Sequence, residues 1–177
     1  MKSHYAGLMI LLGIGSLTFA MGEGPPHDPA KKPGEAERPS PAAARLQAES
    51  LHTAIHATLQ IVHHRYYRED EGLPIPAAIL KDVFGELEEE RRVKLRWLVV
   101  EGRAMNSDHK PRGQFEEDAV KALKSGKKSF ERVEGGTYRR AGAVTLSNLC
   151  LKCHVPDRTS TEDRTAGLII SIPVSEK

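Results

Sequence analysis

An α+β domain with an antiparallel sheet is the fold class this sequence predicts, on three observations. Apolar spacing of helical period is concentrated in the first half of the folded part. Runs rich in β-branched residues gather in the second half, and two of them meet through Gly135-Gly136. Helices first and strands late argue for segregated layers rather than alternating βαβ units.

Residues 45–68 form the first expected helix, because Leu51, Ile55, Leu59, Val62 and Tyr66 recur at spacings of three and four. Gly72-Leu73-Pro74 ends it. Residues 76–90 form a second helix, with Pro76 in its first turn and Ile79, Leu80, Val83, Phe84 and Leu87 along it. Residues 93–100 read as a strand and 115–123 as a short helix. Residues 130–133 and 138–146 form a hairpin through the two glycines, and 166–174 a last strand.

At 177 residues and 19.5 kDa the chain holds one domain and a tail. Residues 1–22 read as a secretory signal peptide: Lys2, an apolar run from Ala6 to Ala20, then the small-residue exit Ala20-Met21-Gly22. An uncleaved membrane anchor is the alternative, since a bilayer span needs roughly 17–25 residues. Either reading predicts a periplasmic or otherwise exported chain. Residues 23–44 carry Pro25, Pro26, Pro29, Pro33, Pro39 and Pro41 and little to bury, which predicts an extended tether. Residues 45–177 are the expected domain. The net charge of +2 argues against a dedicated nucleic-acid binder, and a single apolar run excludes a polytopic membrane protein.

Cys150-Leu151-Lys152-Cys153-His154 is the sharpest feature. Two thiols at this spacing can add across the vinyl groups of one haem, and the adjoining histidine then ligates the iron. A redox dithiol normally sits in a βαβ pattern, which is missing here. Structural zinc needs four ligands, and there is no second cysteine pair to complete the usual set. A structural disulfide leaves His154 unexplained. One covalent haem c, bound through Cys150, Cys153 and His154, is therefore the expected cofactor. Multihaem electron wires are excluded, because the motif occurs once.

Beyond this motif, roughly residues 51–174 resemble the PAS-like c-type haem-binding domain family, also called the Tll-type haem domain. The resemblance rests on the first helix, the stretch from Arg103-Ala104-Met105-Asn106 to Lys110-Pro111, and Phe115-Glu116 after it. It continues with Ala141-Gly142-Ala143-Val144-Thr145-Leu146 running into the cysteines, and with Ala166-Gly167-Leu168-Ile169-Ile170 near the end. It implies a PAS-like antiparallel sheet with N-terminal helices on one side, packed over a single haem site. It also implies an extracytoplasmic role in electron transfer or in redox or ligand sensing.

Some members of that family take a second iron ligand from a cysteine on the first helix, and this chain has no cysteine left for it. Histidine is the expected substitute. His52, His56 and His63 fall within roughly 40° of one another on a helix, beside the apolar stripe, and His64 points away. His63 is the expected second ligand, because it lies nearest the end of the helix that should pack on the sheet. His56, His52, His64 and Met105 are the alternatives, and zinc held among the three aligned histidines is a further one. His109 reads as an exposed loop residue. Lys110, Arg112, Arg140 and Arg158 are candidates for pairing with haem propionates.

The expected function is one-electron transfer with an unknown redox partner protein, by a protein expected not to be an enzyme and to have no catalytic residues. A haem-based redox or gas sensor acting through a partner is the alternative. A peroxidase-like activity, which needs an open distal face with acid–base groups, is the third reading. A membrane is involved only if the leader stays attached.

Overall fold

The computed structural model describes residues 38–104, 106–155 and 158–175, without the side chains of Glu69 and Cys153. The expected signal peptide, residues 23–37 of the expected tether, and Met105 lie outside the described residues. No described helix is long and apolar enough to cross a membrane.

Helix α1 spans Pro41–Arg65, with Ser40 as its N-cap accepting from the Ala43 amide at 3.3 Å and proline in its first turn. It therefore begins four residues before the end of the expected tether. The reason is packing: Ala44 and Ala48 are fully buried, and small residues let the helix lie close to the sheet. It ends three residues earlier than expected, where the Tyr66 and Tyr67 amides both turn back to the Val62 carbonyl. Helix α2, Pro76–Arg91, stops at Arg92 in the left-handed region (φ 55°), whose N–H caps the Glu88 and Leu87 carbonyls.

Strand β1 is Lys94–Val99, and helix α3, Gly113–Lys124, follows after a 3₁₀ turn at Ser107–His109. Strands β2 (Ser129–Glu134) and β3 (Thr137–Leu146) form the expected hairpin. Gly135 and Gly136 have φ of 54° and 67°, as a two-residue primed turn requires. Helix α4 is Asn148–His154, and β4 is Arg164–Pro173. The sheet order is β1-β4-β3-β2, antiparallel throughout, so β4 enters between β1 and the hairpin.

Both sheet faces are covered. Trp97, Tyr138, Val144, Leu168, Ile170 and Ile172 face α1 and α2, joined by Ala44, Ala48, Ile55 and Phe84. Leu98, Ala141 and Ile169 face α3, which buries Phe115, Ala119 and Leu123 against them. The resemblance implied helices on one side only; α3 closes the other because its apolar residues share one stripe. Each large side chain so buried contributes about 1.5–3 kcal/mol.

Candidate haem site

Helix α4 follows β3 directly through Ser147. The Cys150 and Leu151 amides donate to the Ser147 carbonyl at 2.8 and 3.1 Å, and fully buried Leu151 pins the turn to the core. Helical geometry puts positions 150, 153 and 154 within an arc of about 100°. Cys150 is a half-buried free thiol, 3.6 Å from the Ser147 hydroxyl.

His154 lines a cavity of about 250 Å³. Its walls are Leu59 of α1, Ile75, Ala77, Ala78 and Lys81 at α2, Trp97–Val99 of β1, and Val144, Leu146, Ala166 and Gly167 of β3 and β4. Glu101, Arg103, Ala104, Asn106 and His109 close it from the segment after β1. Through Leu59 it adjoins an apolar hollow of about 380 Å³ between α1 and α2, which includes Val62, Tyr66, Leu73 and Ile79. Burial first, and then the nearby His63, holds the His154 imidazole below its ordinary pKa. His154 is thus biased to the neutral form that ligates metals.

A family model, that of the Tll0287-like family, matches residues 37–170. The chain belongs to the Tll0287-like family. Among solved structures, the crystal structure of the cyanobacterial haem protein Tll0287 is 15% identical, over 77% of this chain and 94% of its own, with a TM-score of 0.48. No curated protein matches.

In this Tll0287-like chain the α1 histidines form a stripe that runs along β3 and off its end. His52 Nε2 lies 3.0 Å from the Ala143 carbonyl. His56 Nε2 meets the Gln60 amide and the Thr145 N–H at 3.3 and 3.4 Å. Both rings are therefore engaged with the helix and strand, away from the cavity. His63, a turn beyond Gln60, passes the strand end and reaches α4. It lines a hollow with Leu149 and Lys152 of α4 and with His64, Tyr67, Arg68 and Asp70, and its ring lies 4.9 Å from that of Tyr67. Burial also depresses its pKa. The structure thus brings His63 beside α4 but not into the cavity that His154 lines. Exposed His64 shares the His63 hollow. Among the described residues no group of three His, Cys, Asp or Glu side chains is placed to hold a metal ion.

Two expectations are corrected. His109 is half-buried and lines the same cavity as His154; its Nε2 is sealed from solvent without a hydrogen-bond partner. Burial, then the Lys81 and Arg96 charges, lowers its pKa, partly offset by Asp108. The 3₁₀ turn carrying it lies along edge strand β1, where Arg96 donates to the Asp108 and Lys110 carbonyls, the latter at 3.0 Å. Arg96 is held in turn by Glu116. The second correction concerns the basic residues. None of Lys110, Arg112, Arg140 and Arg158 lines the cavity, whereas Lys81 and Arg103 do. Arg112 pairs with Asp108 at 3.2 Å, and Arg140 with Glu49 and Glu131 at 3.3 and 3.2 Å. No local pattern marks Lys81 or Arg103, because only the packing of α2 and the β1 exit around one cavity sets them apart.

Proposed function

We propose that this chain is an exported c-type cytochrome with one covalent haem, exchanging single electrons with a partner protein. The observation that carries the reading is the Cys-x-x-Cys-His turn, held at the end of β3 so that His154 enters an apolar cavity under the sheet. The donor set fits the group: a free thiol at Cys150, a neutral-biased imidazole at His154, apolar walls, and an unsatisfied buried nitrogen at His109. Membership of a family named for a haem protein supports it further. A haem bound here supplies a one-electron Fe(III)/Fe(II) couple.

Cys150 and Cys153 would hold the porphyrin edge, and His154 the iron. His63 is the proposed second ligand, supported by its place beside α4 and by its nearness to His154. The leader at residues 1–22 supports export, and no nucleic acid enters the reading.

The test is mass spectrometry of the chain made with haem-ligation machinery. The expected increment is one haem, abolished in Cys150→Ala/Cys153→Ala. An unaltered chain carrying zinc or a disulfide instead would end the reading. A second reading, a redox or gas sensor, is favoured by one observation: His63 lies outside the cavity lined by His154. Electron transfer predicts a reduced spectrum that carbon monoxide does not shift, and that His63→Ala makes sensitive to it. A sensor predicts a shift in the parent itself.

A further inference from the structure

We propose that Lys81, Arg103 and His109 form a carboxylate-binding end of the cavity that holds the propionate groups of the haem, an inference that rests on the haem reading above. The three side chains arrive from separate elements: α2, the segment after β1, and the 3₁₀ turn along the β1 edge. Among the described residues Lys81 and Arg103 have no carboxylate partner, while Arg96, Arg112, Arg132, Arg139 and Arg140 are all paired. The one carboxylate in the cavity wall, Glu101, is committed: its Oε2 accepts from the Thr165 N–H at 2.6 Å.

His109 supplies the independent observation. A ring nitrogen shut away from water without a partner is costly unless something else bonds to it. Lys81 stands near enough for its charge to bear on that ring, so one anion between them would satisfy both. Carboxylate oxygens suit this set, because they accept from a guanidinium, an ammonium and an imidazole N–H alike. Apart from Asn106 and His154 the rest of the wall is apolar (Leu59, Ile75, Trp97 and Val144 among it), which suits the macrocycle. The Arg96–Glu116 pair keeps the turn in place, so His109 is aimed by the fold rather than by the ligand.

The test uses the full chain with its covalent haem and reads the midpoint potential and the visible spectrum. Removing a cation beside a propionate leaves more negative charge near the iron and favours Fe(III). Lys81→Gln and Arg103→Gln should therefore lower the potential, with the double variant lower still. His109→Leu should lower it too, while His109→Gln, which keeps an N–H donor, stays near the parent. Lys121→Gln, on α3 and outside the cavity, should leave it unchanged. All variants should keep the mass of one haem and the parent's spin state. Potentials equal to the parent in Lys81→Gln, Arg103→Gln and His109→Leu would overturn the proposal. So would a change of spin state in His109→Leu, which would assign that ring to the iron. A parent chain that carries no haem would defeat the haem reading first, and this inference with it.

Discussion

Glu116 shows how a single residue positions a site it never touches. It is the one buried charged residue among those described, and its carboxylate takes Arg96, Arg139 at 3.1 Å and the Arg112 N–H at 2.6 Å. Arg139 also lies over the Phe115 ring, 4.2 Å from its centroid. Neutralising the carboxylate leaves the Arg96 guanidinium, largely withdrawn from water, without a counter-charge, and leaves Arg139 with only the more exposed Glu134 at 3.4 Å. Breaking a buried pair in this way costs about 3–5 kcal/mol. Glu116→Gln should therefore destabilise the chain by about 3 kcal/mol, at the low end because the arginines keep some exposure. Urea unfolding measures it, and a loss below about 1 kcal/mol would mean that solvent carries the arginines instead. At this scale the cysteine motif could be picked out as a candidate because the chemistry proposed for it lies in five adjacent residues. His109 was not, since its burial depends on which strand forms the sheet edge, and no local pattern states that.

Among the elements, α1 is the one whose placement matters most, and Gly142 sets how closely it approaches β3. A Cβ at residue 142 would lie 2.3 Å from the His52 ring, a separation that packed carbon atoms do not reach. Gly142→Ala must push α1 outward or turn the His52 ring off the Ala143 carbonyl, at a cost of roughly 1–3 kcal/mol. Because α1 carries His63 toward α4, the same displacement should also weaken the iron ligation proposed for His63. Adding His52→Ala to Gly142→Ala should return part of the lost stability, since the two changes meet in one contact. Strict additivity in that double-mutant cycle would show that the contact does not set the helix position. The longer elements were readable because their signals repeat: apolar stripes over three or more turns, prolines at helix starts, two glycines between strands. Helix α4 was missed as a helix because seven residues are too few to show a period. The true start of α1 was missed because alanines at 42–44 look like tether until the sheet that buries them is known.

For the molecule as a whole, the sequence carried the layer order but not the insertion of β4 between β1 and β3, nor the second helical layer at α3. That closed packing has a consequence for acid stability. His52, His56, His63, His109 and His154 all have depressed pKa values, and burial is the first cause in each. In the unfolded chain the same imidazoles titrate near about 6.5. As pH falls through that value the unfolded state binds protons that the folded state refuses, so unfolding becomes easier. The stability lost grows until the depressed folded values are also passed. Carboxylates enter only further down, since their unfolded pKa values lie near about 4. At the alkaline side Tyr138 acts in the same sense: burial, with the Glu131 hydrogen bond, raises its pKa to about 12. Its contribution is complete below an unfolded pKa of about 10 and is lost as pH rises from there through the folded value. The chain without its two proposed attachment thiols, Cys150→Ala/Cys153→Ala, should therefore, when purified without haem, show its highest urea midpoint between about pH 7 and 9, lower at pH 5 and lower again above pH 10. Replacing His109 or His52 by a neutral residue should flatten the acid limb without moving the alkaline one. A midpoint that holds level or rises from pH 7.5 to pH 5 would mean that these rings take up protons in the folded state as readily as in water.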